Sequence, residues 1–370
     1  MKLHLVRNEK IINRCINNFE QVFPGNNKFI VINPSSHSYV DNRACTYFLT
    51  YGTEAFWEEV GDVNQYDAVI IHYLKEETAD FILRINHPNI YWIEWGADLY
   101  SSLLEPKGYL IYSDKKLPWR IHHHKIPFFI YDLVNKYKSK KTRDLLLSAV
   151  KKVKYFVPDS MYDEYPLLLN YYPELSHLIY KEFFYYPIDE VLDSSLLNAD
   201  ICGNNIIVGN SSSMSSNHID VFKRIRTLDL KDIKVIVPLS YGDKNYSQYV
   251  IREGYSLLGN AFSPLLDYLE LSEYNKILLS ANCFVYGNWR QEAVGNILVA
   301  LYLGGKVFLY KKNPLLNFYR SLGLHLFEID ELSQHHIDSR LSKDEISNNR
   351  RILLNHYSRE RQIGLIRKNF

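Results

Sequence analysis

Ile206-Ile207-Val208-Gly209-Asn210-Ser211-Ser212-Ser213 is a β-branched run that ends in a loop of small polar residues, and a helical pattern begins near Asn217. The chain repeats this βα unit in both directions. Downstream, strands are expected at Val235–Val237, Phe284–Tyr286, Val307–Tyr310 and Leu326–Ile329, with helices at Asn217–Arg226, Pro264–Lys276 and Glu292–Leu303. Upstream, strands are expected at Leu3–Val6, Phe29–Asn33, Ala68–Tyr73, Ile90–Trp95 and Val153–Val157, with helices Glu9–Val22 and Glu76–Ile85 among them and Phe183–Tyr186 as a further strand or extended connector. Short strands alternating with helices predict parallel sheets. A polar stretch at 188–204, ending in Gly203-Asn204-Asn205, reads as the linker between the two series. The expected architecture is α/β, with two Rossmann-like α/β domains at 1–190 and 204–340 facing each other across a cleft, and a helical 341–370 segment packing back on the first. A chain of 370 residues is long enough for two cores, and ligands of such folds bind at the carboxyl ends of the strands.

Bulk composition is that of a soluble protein, 46% hydrophobic and 23% charged. The longest apolar runs, such as Ile297–Leu303, fall short of the roughly 20 residues of a spanning helix. Met1-Lys2-Leu3-His4-Leu5-Val6 leads straight into a strand without a signal-peptide core, so a cytoplasmic location is expected. Cys15, Cys45, Cys202 and Cys283 form no CxxC pair, which argues against a zinc knuckle, a dithiol motif or a disulfide framework. The charge is uneven: 12 Lys or Arg against two Asp between Lys115 and Lys154, in a chain of net charge +1. Lys115, Lys116, Trp119, Arg120, Lys136, Lys140 and Lys141 set cations beside aromatic and apolar groups, a mixture that fits peripheral contact with an anionic membrane surface. A solvated helix face fits the same residues. Nucleic acid is not an expected partner, because the whole chain offers no broad basic surface.

Four stretches can carry chemistry. Gly209, Asn210, Ser211 and Ser212, with Asn217, let a phosphate approach the backbone, although no Walker or dinucleotide fingerprint follows and a plain strand-to-helix turn fits as well. Trp289-Arg290-Gln291-Glu292-Ala293-Val294-Gly295-Asn296 follows a strand and opens a helix. A diphosphate there would gain from the helix amides and Arg290, and Glu292 could accept from ribose hydroxyls. Pro238-Leu239-Ser240-Tyr241-Gly242 could border the base or ribose through Tyr241. Tyr91-Trp92-Ile93-Glu94-Trp95-Gly96-Ala97-Asp98-Leu99-Tyr100 brings the carboxylates Glu94 and Asp98 to the edge of the first sheet, where one could take a proton from an acceptor hydroxyl while Trp95 and Tyr100 stack on sugar rings. Helix capping and core packing explain those residues equally well. His122-His123-His124 cannot converge on one ion, and no DxD-type pair follows a strand, so no metal and no other cofactor is expected.

Taken in order, Trp95-Gly96-Ala97-Asp98-Leu99-Tyr100, Val208-Gly209-Asn210-Ser211 with Asn217-His218-Ile219, Val235-Ile236-Val237-Pro238 with Tyr241, Arg290-Gln291 with Gly295, and Asn313-Pro314 resemble the TDP-N-acetylfucosamine:lipid II N-acetylfucosaminyltransferases, the 4-alpha-L-fucosyltransferase family. The resemblance spans about residues 90–330. It implies a GT-B fold and a dTDP-sugar donor held by the second domain. It also implies an undecaprenyl-diphosphate-linked glycan acceptor held by the first, at the cytoplasmic face of the inner membrane. Carried over residue by residue, it implies Asp98 as base or acceptor-orienting group, Asn210, Ser211, Arg290, Gln291 and Gly295 as diphosphate contacts, and Tyr241 as a nucleotide neighbour. The chain departs from the family pattern at Glu94, in the Ser-rich loop after Ser211, and in Glu292-Ala293 after Gln291. These departures leave the sugar open, within 4-amino-4,6-dideoxyhexoses. A transferase using UDP- or GDP-sugars, a sugar-nucleotide epimerase and a non-catalytic membrane scaffold remain alternatives.

Overall fold

The structure, a computed structural model, describes residues 1–9, 11–34, 39–159 and 162–370; Lys10, within the expected helix Glu9–Val22, lies outside them. Two parallel sheets organise the chain. The first contains β1 (Lys2–Val6), β2 (Asn27–Ile32), β3 (Thr46–Leu49), β4 (Ala68–His72), β5 (Ile90–Glu94), β6 (Tyr155–Pro158) and β7 (Ile179–Tyr180) in the order β3-β2-β1-β4-β5-β6-β7. The second contains β8 (Asn205–Val208), β9 (Val235–Pro238), β10 (Phe262–Leu265), β11 (Ala281–Tyr286), β12 (Lys306–Leu309) and β13 (Phe327–Glu328) in the order β10-β9-β8-β11-β12-β13. Every strand pair is parallel, and β1, β4, β5, β9, β11 and β12 are buried along their whole length. Helices cover both faces of such sheets, so their strands read as unbroken apolar runs instead of alternating ones.

In each sheet the chain first builds outward from a central strand, then returns to that strand and builds the other way. The reversal falls between β1 and β4 in the first sheet and between β8 and β11 in the second. Loops leaving the two strands at a reversal part company there and open a crevice.

The expected helix Pro264–Lys276 is corrected by the structure. Pro264 lies in β10, and the helix runs Leu271–Leu279. β10 is an edge strand, the place in a sheet where the missing proline N–H is tolerated. Phe183–Tyr186 forms no strand; Phe183 makes a lone parallel bridge with Asp159. The expected linker contains two short helical turns, Ile188–Val191 and Ser194–Leu196.

The chain divides into two compact units. The first comprises Met1–Tyr109, Val134–Tyr185 and Arg359–Phe370, and the second Leu110–Leu133 and Tyr186–Ser358. The helix-prone C-terminal region breaks at Tyr357-Ser358 into helices Lys343–His356 and Arg359–Asn369, which belong to different units. The last helix is fastened within the first unit by the buried Asn18 amide on Gln362 Oε1 (2.5 Å) and by Phe370 edge-on to Phe19 at 5.1 Å. Leu110–Leu133 is fastened within the second. Leu117 enters its core beside Val221, Phe222 and Tyr246, and Asn217 Oδ1 accepts from the Ser113 amide at 2.9 Å.

Candidate active site

At the β8/β11 reversal two loops meet. The loop after β8 turns at Gly209, whose φ of +69° belongs to glycine and whose missing Cβ would lie 2.7 Å from His218 Nε2. Asn217 follows in the left-handed region (φ 47°) and starts helix His218–Ile225. Its amide is spent on protein, donating to Gly287 O at 2.8 Å and Ser215 O at 3.0 Å, so Asn217 ties the β8 loop to the β11 loop. The expected helix Glu292–Leu303 starts later, at Val294. Ala293 is left-handed (φ 63°), and Trp289–Ala293 forms a loop ahead of the first-turn amides of Val294, Gly295 and Asn296.

Glu292 organises this loop. Its Oε2 accepts from Ser215 Oγ at 2.6 Å, Asn288 Nδ2 at 2.7 Å and Arg290 Nη2 at 2.9 Å, with the Arg290 side chain 11% exposed. Charge-assisted bonds in such cover are short and hold the guanidinium in one orientation. Around this hub, five polar side-chain atoms are buried without a partner: Asn210 Oδ1, Ser216 Oγ, His218 Nε2, Asn288 Oδ1 and Arg290 Nε. Burial drives the His218 imidazole down to about 3, so it is neutral. Buried polar atoms are nearly always satisfied, so five such atoms among the described residues of two adjoining loops leave hydrogen-bonding capacity there for a polar ligand or ordered water.

Beside the loops lies a cavity of about 250 Å³, lined by Asn210, Pro238, Ser240, Tyr241, Leu265, Tyr268, Tyr274 and Asn296, among others. Asn210 Nδ2 donates to Tyr241 Oη at 3.1 Å, and Ser212 Oγ donates to Tyr241 O at 2.6 Å. The structure therefore gathers Gly209, Asn210, Ser211, Ser212, Tyr241, Arg290, Gln291, Glu292, Gly295 and Asn296 onto the β8, β9 and β11 ends. The missing Cβ of Gly295 would press on the Tyr186 ring at 3.2 Å, so that glycine serves packing. Tyr268 follows the edge strand β10 and Tyr274 lies on helix Leu271–Leu279, and no local motif marks either residue as a cavity wall.

The two carboxyls of the first unit are arranged differently. Asp98 is fully buried. Its Oδ2 accepts from the Leu74 amide and Trp92 Nε1, both at 2.8 Å, and its Oδ1 from the Trp95 amide at 2.8 Å. With three donors and no exposed face, Asp98 pins the turns after β4 and β5. Glu94, also fully buried, accepts from the Gly96 amide and faces Glu164 and Asp98. Burial, and then repulsion from Glu164 and Asp98, push its carboxyl well above the usual range. Burial likewise raises Glu164. Tyr100 is buried against the same pair, while Trp95 is half-buried. Glu94, Glu164, Asp98 and Tyr100 thus form an internal cluster in which burial favours the uncharged carboxyl of the two glutamates.

The basic segment is outward-facing. Lys115, Lys116, Arg120, Lys136, Lys140 and Lys141 are exposed, with Arg120 paired to Asp114, Lys116 Nζ 5.0 Å above the Phe128 ring, and Trp119 Nε1 donating to Ile126 O at 2.7 Å. Helix Phe128–Val150 carries an exposed apolar stripe. Phe129 (65% exposed), Leu133 (65%) and Tyr137 (73%) recur at helical spacing, flanked by exposed Ile130 and Val134. The histidine run is divided, with His122 Nε2 meeting Asp243 Oδ2 at 2.5 Å and His123 stacking on Tyr131. Among the described residues no three His, Cys, Asp or Glu gather to hold a metal, and no helix is long and apolar enough to cross a membrane.

The fold has many solved counterparts. A UDP-forming alpha,alpha-trehalose-phosphate synthase from Burkholderia vietnamiensis superposes with a TM-score of 0.62 at 9% identity, covering 100% of this chain and 98% of that one. A glycosyltransferase from Rickettsia africae gives 0.59 at 12% identity, with 100% and 96% coverage. Anabaena HepE in complex with UDP gives 0.60 at 11% identity, with 100% and 98% coverage. At such identities the likeness shows the fold alone, which is GT-B. The sequence model of the 4-alpha-L-fucosyltransferases, glycosyl transferase group 56, matches residues 168–357, slightly more than half of the chain and including the whole β8/β11 site. The chain therefore belongs to the 4-alpha-L-fucosyltransferase family, glycosyl transferase group 56, and is a glycosyltransferase of GT-B fold.

Proposed function

We propose that the protein transfers a 4-amino-4,6-dideoxyhexose from a dTDP-sugar to an undecaprenyl-diphosphate-linked glycan, in assembly of enterobacterial common antigen or O-antigen at the cytoplasmic face of the inner membrane. The observation that carries the donor side is the group of orphaned buried polar atoms at the β8/β11 reversal beside the 250 Å³ cavity. In this reading the diphosphate meets the amides of Val294–Asn296 and the Gly209–Ser212 loop, with Arg290 as counter-charge. Glu292 fixes Arg290 and accepts from the ribose. The base enters the cavity against Tyr241, Tyr268 and Tyr274. Asp98 serves as a positioning residue, holding the turns that shape the acceptor side. The membrane side is supported by the apolar stripe Phe129–Leu133–Tyr137 beside Lys136, Lys140 and Lys141. Exposed apolar area of this kind marks a contact surface, and each cation near an anionic leaflet contributes about 1 kcal/mol.

A thermal-shift panel of dTDP, UDP, GDP and CDP, with and without EDTA, tests the donor. At about 100 times its dissociation constant a ligand stabilises by about 2.7 kcal/mol, a visible shift. Selective stabilisation by dTDP, indifferent to EDTA and lost in Arg290→Ala, is the expected result. Preference for UDP or GDP would replace the donor, silence across the panel would point to a scaffold, and conversion of a nucleotide sugar without acceptor would mark an epimerase.

A further inference from the structure

We propose that the first unit carries an anion-binding pocket at the β1/β4 reversal of its sheet, in which Arg7, held over Tyr73, takes a phosphate or carboxylate group of the acceptor. This deepens the acceptor side of the proposed function and rests on it. A cavity of about 220 Å³ opens there, lined by Arg7, Asn33, His72, Tyr73 and Lys75 among others, with two carboxylates also on its wall: Glu9, and Glu77, which is held by Lys75 and Asn33. By the rule that places the donor loops at β8/β11, a ligand of the first sheet belongs where β1 and β4 part. Glu94 and Asp98 are one strand removed, at the end of β5, and buried.

Three features of the pocket point to an anion. The Arg7 guanidinium lies 4.6 Å above the Tyr73 ring, which fixes the plane of its fork. Among the described residues no carboxylate pairs with Arg7, whereas Lys75 is engaged with Glu77 at 3.2 Å. A planar guanidinium without a counter-ion at the mouth of a crevice suits bidentate recognition of phosphate or carboxylate. The backbone is specialised as well: Tyr73 (φ 77°) and Asn33 (φ 50°) are two of only five non-glycine residues with positive φ among the described residues, and both line this cavity. A tyrosine in that region is an outlier that the surroundings must enforce, and here it places the ring under Arg7. The cavity is smaller than the roughly 300–1,000 Å³ of pockets that enclose whole ligands, so it takes one group of a larger acceptor. That group can be the diphosphate joining glycan to lipid or the carboxylate of an acidic sugar.

Hydrogen exchange read peptide by peptide separates these sources, with inorganic pyrophosphate and glucuronate as probes on the full chain. Protection of peptides covering residues 6–9 and 72–78 by pyrophosphate assigns the diphosphate; protection by glucuronate alone assigns the carboxylate. Arg7→Ala should weaken the effective probe about tenfold or more, and Arg7→Lys, which keeps the charge and loses the fork, should fall between. No protection of these peptides by either probe, or protection that survives Arg7→Ala, overturns the proposal. Peptides 209–215 and 288–296, followed in the same experiment, report separately on the donor reading, so failure of one is not mistaken for failure of the other.

Discussion

Removing the Asp98 carboxyl tests whether that residue acts through the fold or on the substrate. Asp98→Ala leaves three buried donors, the Leu74 amide, Trp92 Nε1 and the Trp95 amide, without an acceptor. A stranded buried donor costs about 1–3 kcal/mol, so three cost roughly 3–9 kcal/mol. Against this stands relief from burying the carboxyl, whose desolvation raises its own proton affinity despite the three donors. The net loss should lie toward the lower end, about 3–5 kcal/mol. For a unit of this size 1 kcal/mol moves the melting temperature by about 2–4 °C, so Asp98→Ala should melt on the order of 10 °C early. Asp98→Asn keeps one acceptor oxygen but turns an NH2 toward the remaining donors, and should fall midway. The assay is thermal and urea unfolding of both variants beside sugar transfer at a temperature where all remain folded. Asp98→Ala melting within about 1 °C of the parent while turnover disappears would refute the positioning role and make the carboxylate a group that touches substrate.

Other expectations follow from the same geometry. The folded-state carboxyl of Glu164 holds its proton more tightly than the unfolded chain does, so stability should fall as pH rises from the ordinary carboxyl range through about 8. Glu164→Gln, which mimics the protonated form, should flatten that fall in urea titrations across this range; an unchanged pH profile would remove Glu164 as its source. Gly209→Ala forces a side chain into φ +69° and onto His218 Nε2, and should cost about 1–2 kcal/mol together with nucleotide affinity; parental dTDP binding would show that the loop shape is not used. Phe129→Glu with Leu133→Glu removes two exposed apolar groups worth about 1.5–3 kcal/mol each on burial. The affinity for anionic liposomes, read by co-sedimentation, should drop by about 100-fold or more, and full retention would leave the stripe without a lipid role.

Much of the fold was legible because a strand buried on both faces must be apolar throughout, and Ile206–Val208, Val235–Val237 and Phe284–Tyr286 announce themselves as such. Edge strands lack that signature. Phe262–Leu265 contains a proline that only its edge position tolerates, and Ile179–Tyr180 is too short to read. The β8 loop was legible as small polar residues after a strand, a composition that leaves room for a ligand to approach the backbone. Its organisation was not: the convergence of Ser215, Asn288 and Arg290 on Glu292 joins residues from two loops far apart in sequence.

The carboxyls show the limit most sharply. Glu94 and Asp98 after a strand look alike whether they face solvent or core, and the three donors around Asp98 come from turns that no spacing brings together. Arg7 likewise gave no signal, being one arginine after one strand. The sequence by itself determined the parallel α/β class, the two series of βα units and the small polar loops that follow the strands, because these follow from local periodicity and residue size. Only the tertiary structure decided which carboxylates are buried, that Leu110–Leu133 belongs to the second unit, and where the strand order reverses, because burial, charge pairing and crevices depend on which distant segments become neighbours.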